Sequence, residues 1–448
     1  MDVATIVRAL VARIGGRAVA WSQTAVRRSA AHRLARQLAI ARPDPAAALD
    51  AALAHAATDV PYWRDRLGAG DRRAAFLALP PLTKDAIRAN AQALRHDALG
   101  RRRWWINHSG GSSGAPIAVV QDREVADWSM ATSAWYLAHH LGVTHEVPKV
   151  VLWGSERDLF GQRASRVARV QGVLTQTVML NSFKMDATTM RRYVATLART
   201  RPVYVRGYAG SLFELAQFAL AEGLTIPPPR FVYSTAETLT TEARASIERG
   251  FGAPVFDFYG SREVGPIAGQ GRDGLMHVFD FFNRVEVVDA HGAAVSAGGE
   301  GQVLVTSLRN RAMPLLRYDI GDTAEVAAVG PDGGVRTLRR VTGRVTDHFV
   351  AASGALIHGE YFTHLFYGDH AIREFQVVQH RVDDVEILWA PRDPGADVTI
   401  AARTDRDAKI RLVLGDGCAV RWTRVDEVPL TPQGKRLFTR SLVHRSAR

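Results

Sequence analysis

The sequence predicts an α/β protein with layered sheets and helices, followed by a smaller α+β domain at the carboxyl end. Between about residues 104 and 340, short β-rich runs alternate with helical stretches, as is typical of a mostly parallel sheet covered by helices. Strand patterns dominate from Val285 to Val326, which favours an antiparallel or barrel-like part. The predicted strands are Val147–Trp153, Val203–Val205, Phe231–Tyr233 and Val255–Tyr259, with helices at 122–141, 186–200, 210–222 and 240–250.

These patterns divide the chain into three parts. A basic segment covers residues 1–42, a large domain covers 43–342, and a small domain covers 343–448. The large domain begins with helical patterns, in which Thr83 stands where it can cap a helix that starts at Lys84. The sequence therefore predicts one large and one small folded domain.

The composition excludes several classes of protein. Hydrophobic residues make up 47% and charged residues 23% of the 448 positions, which is ordinary for a folded chain and excludes a disordered one. Cys418 is the single cysteine, so one chain can form neither a disulfide framework nor a cysteine-based zinc site. No apolar run approaches the ~18 residues that span a bilayer. We expect a cytoplasmic protein that does not bind nucleic acid, because no nucleic-acid-binding motif accompanies the net charge of +12.

Much of the positive charge lies in residues 1–42, which contain eight arginines and one acid, Asp2. Apolar residues recur there at helical spacing from Val3 to Ile14, which predicts a basic amphipathic helix at the start of the segment. Such a helix can dock on its own domain with the arginines in solvent, or lie on an anionic membrane surface. A transit peptide also fits this composition.

Lysine is rare in this chain. Only five of the 57 basic residues are lysines, and a bias of this size most simply reflects a GC-rich genome. In a chain with so strong a bias towards arginine, the presence of a lysine at a position indicates a specific need for an ammonium group there. The five are Lys84, Lys149, Lys184, Lys409 and Lys435.

The segment Asn107-His108-Ser109-Gly110-Gly111-Ser112-Ser113-Gly114-Ala115-Pro116 can bind an anion. Its three glycines let backbone N–H groups approach phosphate oxygens, and its hydroxyls can donate to them. The segment has neither the Gly-Lys-Ser/Thr of a Walker A loop nor a GxGxxG pattern. By itself a Gly/Ser-rich turn is more often a simple loop, so its meaning depends on the rest of the chain.

Five further segments follow in a fixed order. They are Ser234-Thr235-Ala236-Glu237, Asp257-Phe258-Tyr259-Gly260-Ser261-Arg262-Glu263, Arg317-Tyr318-Asp319-Ile320-Gly321-Asp322, Gly343-Arg344-Val345-Thr346-Asp347 and Leu430-Thr431-Pro432-Gln433-Gly434-Lys435-Arg436. This ordered set resembles the adenylate-forming superfamily of acyl-CoA synthetases, adenylation domains and luciferases. Pro-Tyr-Trp-Arg at 61–64 and Leu-Pro-Pro-Leu-Thr-Lys-Asp at 79–85 are similar to its phenylacetate-CoA ligase branch, which includes CapK-like members. The resemblance covers roughly residues 55–448.

The resemblance implies an ATP site. The phosphate loop would consist of Ser109, Gly110, Gly111, Ser112, Ser113 and Gly114. Ala236 and Glu237 would border the adenine, and Tyr259, followed by Gly260, would stack on it. Glu263 would hold Mg²⁺, because this hard cation suits one carboxylate plus phosphate oxygens.

The resemblance also implies roles towards the carboxyl end. Asp322 would accept hydrogen bonds from both ribose hydroxyls, and Arg344 would add a contact to ribose or phosphate. Lys435 would offset the negative charge that develops on the α-phosphate and the attacking carboxylate, a task that suits a mobile ammonium. Asp347 would be the hinge about which a small lid domain rotates between two catalytic states.

Three positions depart from the family's pattern. Ala115 stands where a basic residue usually precedes the proline, so one phosphate contact is missing. Arg262 stands where Ser or Thr usually contacts the α-phosphate, and it can either replace the missing charge or block the pocket. His348 follows the hinge in place of the usual carboxylate-rich run, so the motifs support adenylation more strongly than thiol delivery.

The implied reaction is ATP-dependent activation of a carboxylic acid to an acyl-adenylate, followed by transfer to CoA or to the pantetheine of an acyl carrier protein. The acid should bind between segments 132–155 and 204–235, with Trp135, Trp153, Tyr208 and Ser234 as pocket candidates. Their aromatic character favours an aryl or medium apolar acid.

Two other functions stay open on the sequence alone. The acyl group could pass to an amine or hydroxyl of a sugar or amino acid, as the CapK-like resemblance allows. The chain could also be a nucleotide-binding scaffold without activity, which Ala115 and Arg262 would explain. The oligomeric state is left undetermined.

Overall fold

The computed structural model describes most of the chain outside the amino terminus. The described residues are 30–99, 104–108, 117–144, 146–153, 175–182, 185, 187–344, 348–353, 356–358, 362, 365–366, 369, 371–429 and 437–443. Two compact units follow one another, residues 1–342 and residues 343–448.

Helices and strands alternate through the first unit. The described helices of the first unit are α1 (Ala30–Ile40), α2 (Pro45–Asp59), α3 (Pro61–Leu67), α4 (Arg72–Ala78), α5 (Lys84–Ala89), α6 (Arg123–His139), α7 (Ala187–Thr200), α8 (Ala209–Ala221) and α9 (Thr241–Phe251). Helix α10 (Ile400–Leu414) belongs to the second unit. The strands of the first unit are β1 (Trp104–His108), β2 (Ala118–Asp122), β3 (Lys149–Trp153), β4 (Thr177–Asn181), β5 (Tyr204–Tyr208), β6 (Phe231–Thr235), β7 (Val255–Ser261), β8 (Gly265–Gln270), β9 (Met276–Val278), β10 (Asn283–Val288), β11 (Glu300–Ser307) and β12 (Tyr318–Val329). Strand β13 (Val335–Arg344) ends at the boundary between the units.

Local sequence accounts for several of these boundaries. The Thr83 hydroxyl accepts the N–H of Ala86 at 3.2 Å, so the predicted cap of α5 is confirmed. Helix α6 is capped in the same way by Asp122, whose carboxylate accepts the N–H of Val125 at 3.0 Å. The α/β alternation predicted from the sequence is confirmed, with strand and helix bounds shifted by a few residues.

A sheet of eleven strands forms the framework of the first unit, in the order β10-β11-β12-β13-β9-β8-β7-β6-β5-β3-β4. Strands β4, β3, β5, β6 and β7 are parallel, and helices cover both of their faces. Val205, Val232 and Val255 stand in register on one face and pack against α7, α8 and α9. Tyr204 and Phe231 lie on the other face, in an aromatic core built with α6.

The strands after β7 continue the same sheet in antiparallel fashion, and the sheet curls. Strand β12 is separated from β7 by β8, β9 and β13, which in a flat sheet means four spacings of ~4.8 Å, or about 19 Å. The Tyr259 hydroxyl on β7 nevertheless donates to Asp322 Oδ2 on β12 at 2.7 Å. Two side chains cannot reach across 19 Å, so the sheet must turn back on itself.

The amino-terminal helices pack against the segment that leads into β12. Leu82 donates its N–H to the Arg317 carbonyl at 2.9 Å, and its own carbonyl accepts the N–H of Asp319 at 3.1 Å. Trp63, which is 2% exposed, donates its indole N–H to the Pro314 carbonyl at 2.9 Å. Helices α2 to α5 therefore hold the start of β12 in place.

Arg317 is a buried charged residue in the segment that leads into β12. It adopts a positive φ of 48° and lies 3.4 Å from the carboxylate of Glu286, and both side chains are buried. Its backbone N–H donates to the Thr306 hydroxyl at 2.9 Å, and its guanidinium donates to the Leu77 carbonyl at 3.0 Å. One arginine thus joins β10, β11, α4 and the start of β12.

Helix α1 belongs to the first unit's core. Leu38 packs into the aromatic core of α6, and the Arg42 guanidinium lies 5.6 Å from the centre of the Trp135 ring. Residues 30–42 of the basic segment are therefore docked on the first unit. The amphipathic helix predicted from Val3 to Ile14 lies outside the described residues.

The second unit is a small α+β fold. Its strands are β14 (His348–Val350), β15 (Leu356–His358), β16 (Ile372–Arg381), β17 (Asp384–Pro391), β18 (Ala419–Arg424) and β19 (Thr439–Ser441). Four of them form a sheet in the order β18-β17-β16-β19. Trp389 and Phe375 lie in its core with residues of α10, where Arg406 pairs with Asp369 at 2.6 Å. Among the described residues, no helix is long and apolar enough to cross a bilayer.

A cluster of three histidines lies at the end of α6. The His140 ring is 4.5 Å from the ring of His277 and 5.1 Å from that of His139, centre to centre. Burial, with the neighbouring charges of His277, His139 and Arg42, lowers the pKa of His140 to about 4, although Asp273 opposes this shift. Asp273 itself lies 2.9 Å from the His277 ring.

We predict that Arg317→Met lowers the free energy of unfolding by about 3–5 kcal/mol, because Glu286 stays buried without its partner. Urea denaturation should also show that Arg317→Met combined with Glu286→Leu recovers part of this loss. Arg123→Ala is the control, since this exposed arginine is 3.8 Å from Asp127 and should change stability by less than about 0.5 kcal/mol. A loss below about 1 kcal/mol for Arg317→Met would contradict the assignment.

A pH dependence of stability follows from His140. Because its folded-state pKa of about 4 lies below the ordinary 6.5, the fold favours the neutral ring, and its contribution is lost as pH falls from 6.5 towards 4. Urea unfolding at pH 7, 6, 5 and 4.5 should show this decline, and His140→Gln should flatten it. The same slope in both proteins would refute the role of His140.

Candidate functional site

The candidate site lies at the carboxyl ends of the parallel strands. In open α/β sheets, ligands bind at this edge. Tyr208 ends β5, Thr235 ends β6 and is followed by Ala236, and Tyr259 lies near the end of β7. The sheet therefore brings two of the sequence motifs and one pocket candidate, Tyr208, to one edge.

Tyr259 and Asp322 form the centre of the site. The tyrosine hydroxyl donates to the aspartate at 2.7 Å, although the two residues are 63 positions apart. Asp322 is 7% exposed, and Tyr259 is partly buried against the neighbouring core. The structure thus joins the residues predicted to stack on adenine and to bind ribose.

Glu263 lies in the turn between β7 and β8 and is 6% exposed. The Tyr318 hydroxyl donates to its carboxylate at 3.3 Å, which connects the turn to the start of β12. Across the described part of the chain, no lysine, arginine or histidine forms an ion pair with Glu263. A buried carboxylate without a basic partner is suited to a bound cation.

Two amides fix the backbone beside Glu263. Gln121 donates to the carbonyls of Arg262 and Glu263 at 2.8 and 3.0 Å, and Asn107 donates to the Arg262 carbonyl at 3.0 Å. Asn107 lies on β1 and Gln121 on β2, the paired strands that flank the predicted phosphate loop. These bonds attach both flanking strands to the turn that holds Glu263.

Ala236 and Glu237 follow β6 in an unusual conformation. Ala236 has a φ of 71°, a left-handed conformation that is rare outside glycine and is often found at functional sites. The carboxylate of Glu237 accepts the N–H of Gly210 at 2.7 Å, so it also fixes the first turn of α8. This structural contact was not expected from the sequence, which predicted only a place beside the adenine.

Gly260 has a steric reason to be glycine. The pairing of β7 with β8 shifts register between Tyr259 and Gly260, and a Cβ atom at Gly260 would lie 2.9 Å from the carbonyl oxygen of Gly265. That approach is too close for any side chain. The register shift sets the direction of Tyr259 and of the turn that follows.

Asp257, earlier on β7, has a perturbed carboxyl group. Desolvation raises the pKa of Asp257 to about 6, while Arg244 and the Phe258 N–H oppose the shift. The Phe258 N–H donates to this carboxylate at 2.9 Å, and the Asp257 N–H donates to Gln270 at 3.2 Å. Since Asp257 precedes Tyr259 by two residues, it lies on the same face of β7.

The four pocket candidates separate into different places. The rings of Trp153 and Tyr208 are 4.5 Å apart, at the ends of β3 and β5. Trp135 instead lies in the aromatic core, 5.2 Å from the Phe281 ring. Ser234 is fully buried, and among the described residues its hydroxyl has no hydrogen-bond partner. Because Tyr208 is in register with Thr235, Ser234 points to the opposite face of the sheet.

Two residues near the site were missed by sequence reasoning. Lys84 lies close to Gly321, the residue before Asp322: a Cβ atom added to Gly321 would be 4.0 Å from Lys84 Nζ. Arg206 lies in the middle of β5, with its guanidinium 5.4 Å from the centre of the Trp153 ring. A charged residue inside an apolar parallel strand was the signal available for Arg206, and the scarcity of lysine was the signal for Lys84.

Some predicted site residues lie outside the described part of the chain. These are Ser109, Gly110, Gly111, Ser112, Ser113, Gly114, the neighbouring Ala115, Asp347 and Lys435. Arg344 ends β13, and its side chain is not described. Their roles stay predictions from the sequence.

A separate cluster of metal-ligand type, formed by His55, Asp59 and His96, is accounted for by hydrogen bonds. One ligand atom of each lies within 4.8 Å of the others. The Nδ1 atom of His96 accepts the N–H of Ala98 at 2.8 Å, so its proton is on Nε2 and no lone pair is left there for a metal. His55 lies 2.8 Å from Asp59 and donates from Nε2 to the Arg311 carbonyl.

Sequence comparison identifies relatives of this chain, although no protein-family model matches it. The chain is 23% identical to Protein CapK of Staphylococcus aureus over 80% of its own length and 79% of that protein. It is 34% identical to phenylacetate-coenzyme A ligase of Escherichia coli (strain K12), over 26% of this chain and 27% of the ligase. The ligase of Aromatoleum evansii gives a similar match, 33% over 26% of the chain and 27% of that protein.

Solved structures share the fold. 2-Hydroxyisobutyryl-CoA ligase, in the postadenylation state with an acyl-AMP, matches with a TM-score of 0.66 at 19% identity, over 89% of each chain. Amide bond synthetase McbA from Marinactinospora thermotolerans matches with a TM-score of 0.50 at 18% identity, over 74% of this chain and 66% of McbA. In sequence the chain is thus similar to CapK and to the phenylacetate-CoA ligases, and it shares its fold with solved acyl-CoA ligase structures.

Proposed function

We propose that this protein activates a carboxylic acid with ATP, releases pyrophosphate, and passes the acyl group from the adenylate to the thiol of CoA. The observation that carries this proposal is the hydrogen bond between Tyr259 and Asp322 at the carboxyl edge of the sheet. It unites two residue types that suit adenosine: a ring for stacking and a carboxylate for the ribose hydroxyls. Support also comes from relatives named as CoA ligases.

Each described residue has a defined task in this proposal. Tyr259 stacks on the adenine, and its hydroxyl orients Asp322 towards the ribose. Glu263 would hold Mg²⁺, which supplies charge neutralisation for the phosphates. Arg262 follows the end of β7 and can add a positive charge near the α-phosphate, in place of the one that Ala115 lacks.

The residues outside the described part complete the proposed reaction. Ser109 to Gly114 would bind the departing phosphates through backbone N–H groups and hydroxyls. Lys435 would stabilise the negative charge that grows at the α-phosphate as the carboxylate attacks. Rotation about Asp347 would then bring a different face of the small unit to the thiol step.

The acceptor is the least constrained part of the proposal. CoA is the acceptor in the names of several relatives, and an acyl carrier protein would supply the same thiol chemistry. A second candidate is transfer to an amine or hydroxyl, favoured by CapK as the relative with the longest matched region and by the fold shared with an amide bond synthetase. A cytoplasmic location and membrane contact through the amino terminus stay predictions, and the oligomeric state stays open.

We predict that the protein releases pyrophosphate from ATP when a panel of carboxylic acids is supplied, and that Lys435→Ala lowers this rate about 10²–10³-fold. Lys409→Ala is the matched control, because Lys409 is an exposed lysine of the second unit that pairs with Asp405 at 2.7 Å. Mass analysis with CoA, carrier protein and amines supplied separately identifies the acceptor. If no acid supports pyrophosphate release and Lys435→Ala behaves like the parent, the protein is a non-catalytic scaffold.

Substitutions at the central pair should change the KM for ATP. We predict that Asp322→Ala raises this KM about 10–100-fold, since a charged hydrogen bond contributes about 1.5–3 kcal/mol. Tyr259→Phe keeps the stacking ring and should have a smaller effect than Tyr259→Ala, which also loses about 1–3 kcal/mol of stacking. Pyrophosphate-release kinetics measure both effects. Glu325→Gln is the control on the same strand, where Glu325 pairs with Arg339; an equal effect there would argue against the nucleotide site.

A further inference from the structure

Arg206 is a half-buried cation beside aromatic rings. It lies in the middle of β5, with its guanidinium 5.4 Å from the centre of the Trp153 ring and 5.2 Å from that of Tyr233. Tyr233 is its neighbour in register on β6, so both side chains are on the same face of the sheet. Tyr208, two residues later on β5, is on this face as well, and the centre of its ring lies 4.5 Å from that of Trp153. Two aromatic rings therefore lie beside the guanidinium, and a third, Tyr208, packs on one of them.

Arg206 has no acidic partner in the described part of the chain. Its Nε atom is buried and makes no hydrogen bond, and no carboxylate of the described residues forms an ion pair with the guanidinium. Two fully buried arginines are neutralised within the chain: Arg317 lies 3.4 Å from Glu286, and Arg284 lies 2.9 Å from Asp332. An arginine stays charged at any physiological pH, so an unpaired one in such surroundings is suited to an anion from outside.

The position of Arg206 relates it to the candidate pocket. Residues two apart on a strand are about 6.6 Å apart along it, so Arg206 lies one step below the edge formed by Trp153 and Tyr208. Ala236, at the predicted adenine side, follows the end of β6 next to this edge. An acid whose reacting carboxylate lies at this edge of the sheet, and whose carbon body extends along the aromatic rings, would reach the Arg206 guanidinium with its other end.

We propose that the acid activated by this protein carries a second anionic group, a carboxylate in the simplest case, and that Arg206 binds that group. The inference rests on the proposed function and names its substrate class. The carbon body of the acid lies against Trp153 and Tyr208, while the reacting carboxylate stays at the strand ends. Arg206 is then a specificity-determining residue, and the purely apolar acid expected from the aromatic residues alone is the poorer substrate.

Matched pairs of acids test this proposal. Phenylacetate is compared with 4-carboxyphenylacetate, and hexanoate with adipate, so that each pair shares its carbon body and differs in the second carboxylate. Pyrophosphate release gives kcat/KM for the parent, Arg206→Met and Arg206→Lys. We expect the parent to prefer the diacid at least tenfold in one pair. Arg206→Met should lose that preference while it keeps its rate on the monoacid within about threefold, and Arg206→Lys should keep part of it.

Arg191→Met is the matched control. Arg191 also stacks on an aromatic ring, 5.7 Å from the centre of Phe218, but it lies in the helix layer on the opposite face. This variant should keep the parent's preference. Equal losses on both acids of a pair in Arg206→Met would overturn the proposal, because they mean that Arg206 binds the reacting carboxylate or only supports the fold. A parent without preference in both pairs would overturn it too.

Binding measurements separate this inference from the proposed function. If no acid supports pyrophosphate release, calorimetric titration with 4-carboxyphenylacetate and adipate still reports on the site. Diacid binding to the parent that is weakened at least tenfold in Arg206→Met and partly kept in Arg206→Lys supports an anion site without ligase activity. Equal binding, or none, to all three proteins overturns the role of Arg206. Thermal melting of each variant shows whether it is folded, and Arg206→Lys retains the charge if Arg206→Met does not fold.

Discussion

The curl of the large sheet is the constraint on which the candidate site depends. Without it, β7 and β12 would be about 19 Å apart, and Tyr259 could not donate to Asp322. The curl also brings Tyr318 within 3.3 Å of Glu263, so the same strand supplies the ribose-binding candidate and supports the cation-binding candidate. One bend in the sheet therefore assembles residues from two sequence motifs that are distant along the chain.

The buried ion pair of Arg317 and Glu286 fixes the position at which β12 begins. Arg317 precedes β12, pairs with Glu286 and bonds to carbonyls of the amino-terminal helices. Leu82 forms two backbone hydrogen bonds with the same segment, which places Lys84 near Gly321. The amino-terminal helices thus contribute to the position of the nucleotide-binding candidates, although they are far from them in the sequence.

Arg206 contrasts with these structural arginines. Arg317 and Arg284 are buried beside carboxylates and connect parts of the fold. Arg206 lies beside two aromatic rings, in the middle of β5, and among the described residues no carboxylate pairs with it. A buried charge that is compensated within the chain supports the fold, whereas a half-buried charge without an acidic partner near a ligand-binding edge is suited to recognition.

The sequence by itself determined the α/β alternation, the cap at Thr83 and the identity of Tyr259, Glu263 and Asp322 as site candidates. These features depend on local periodicity, on one side chain with a backbone N–H three residues later, and on ordered motifs. It could not separate Trp135, which lies in the core, from Trp153 and Tyr208, because all three are aromatic residues in apolar surroundings. Only the tertiary structure decided that Tyr259 meets Asp322, that Ser234 faces away from Tyr208, and that Arg206 has no acidic partner among the described residues. The physical reason is that sheet curvature, strand register and charge pairing arise between segments distant in sequence, and no local pattern records them.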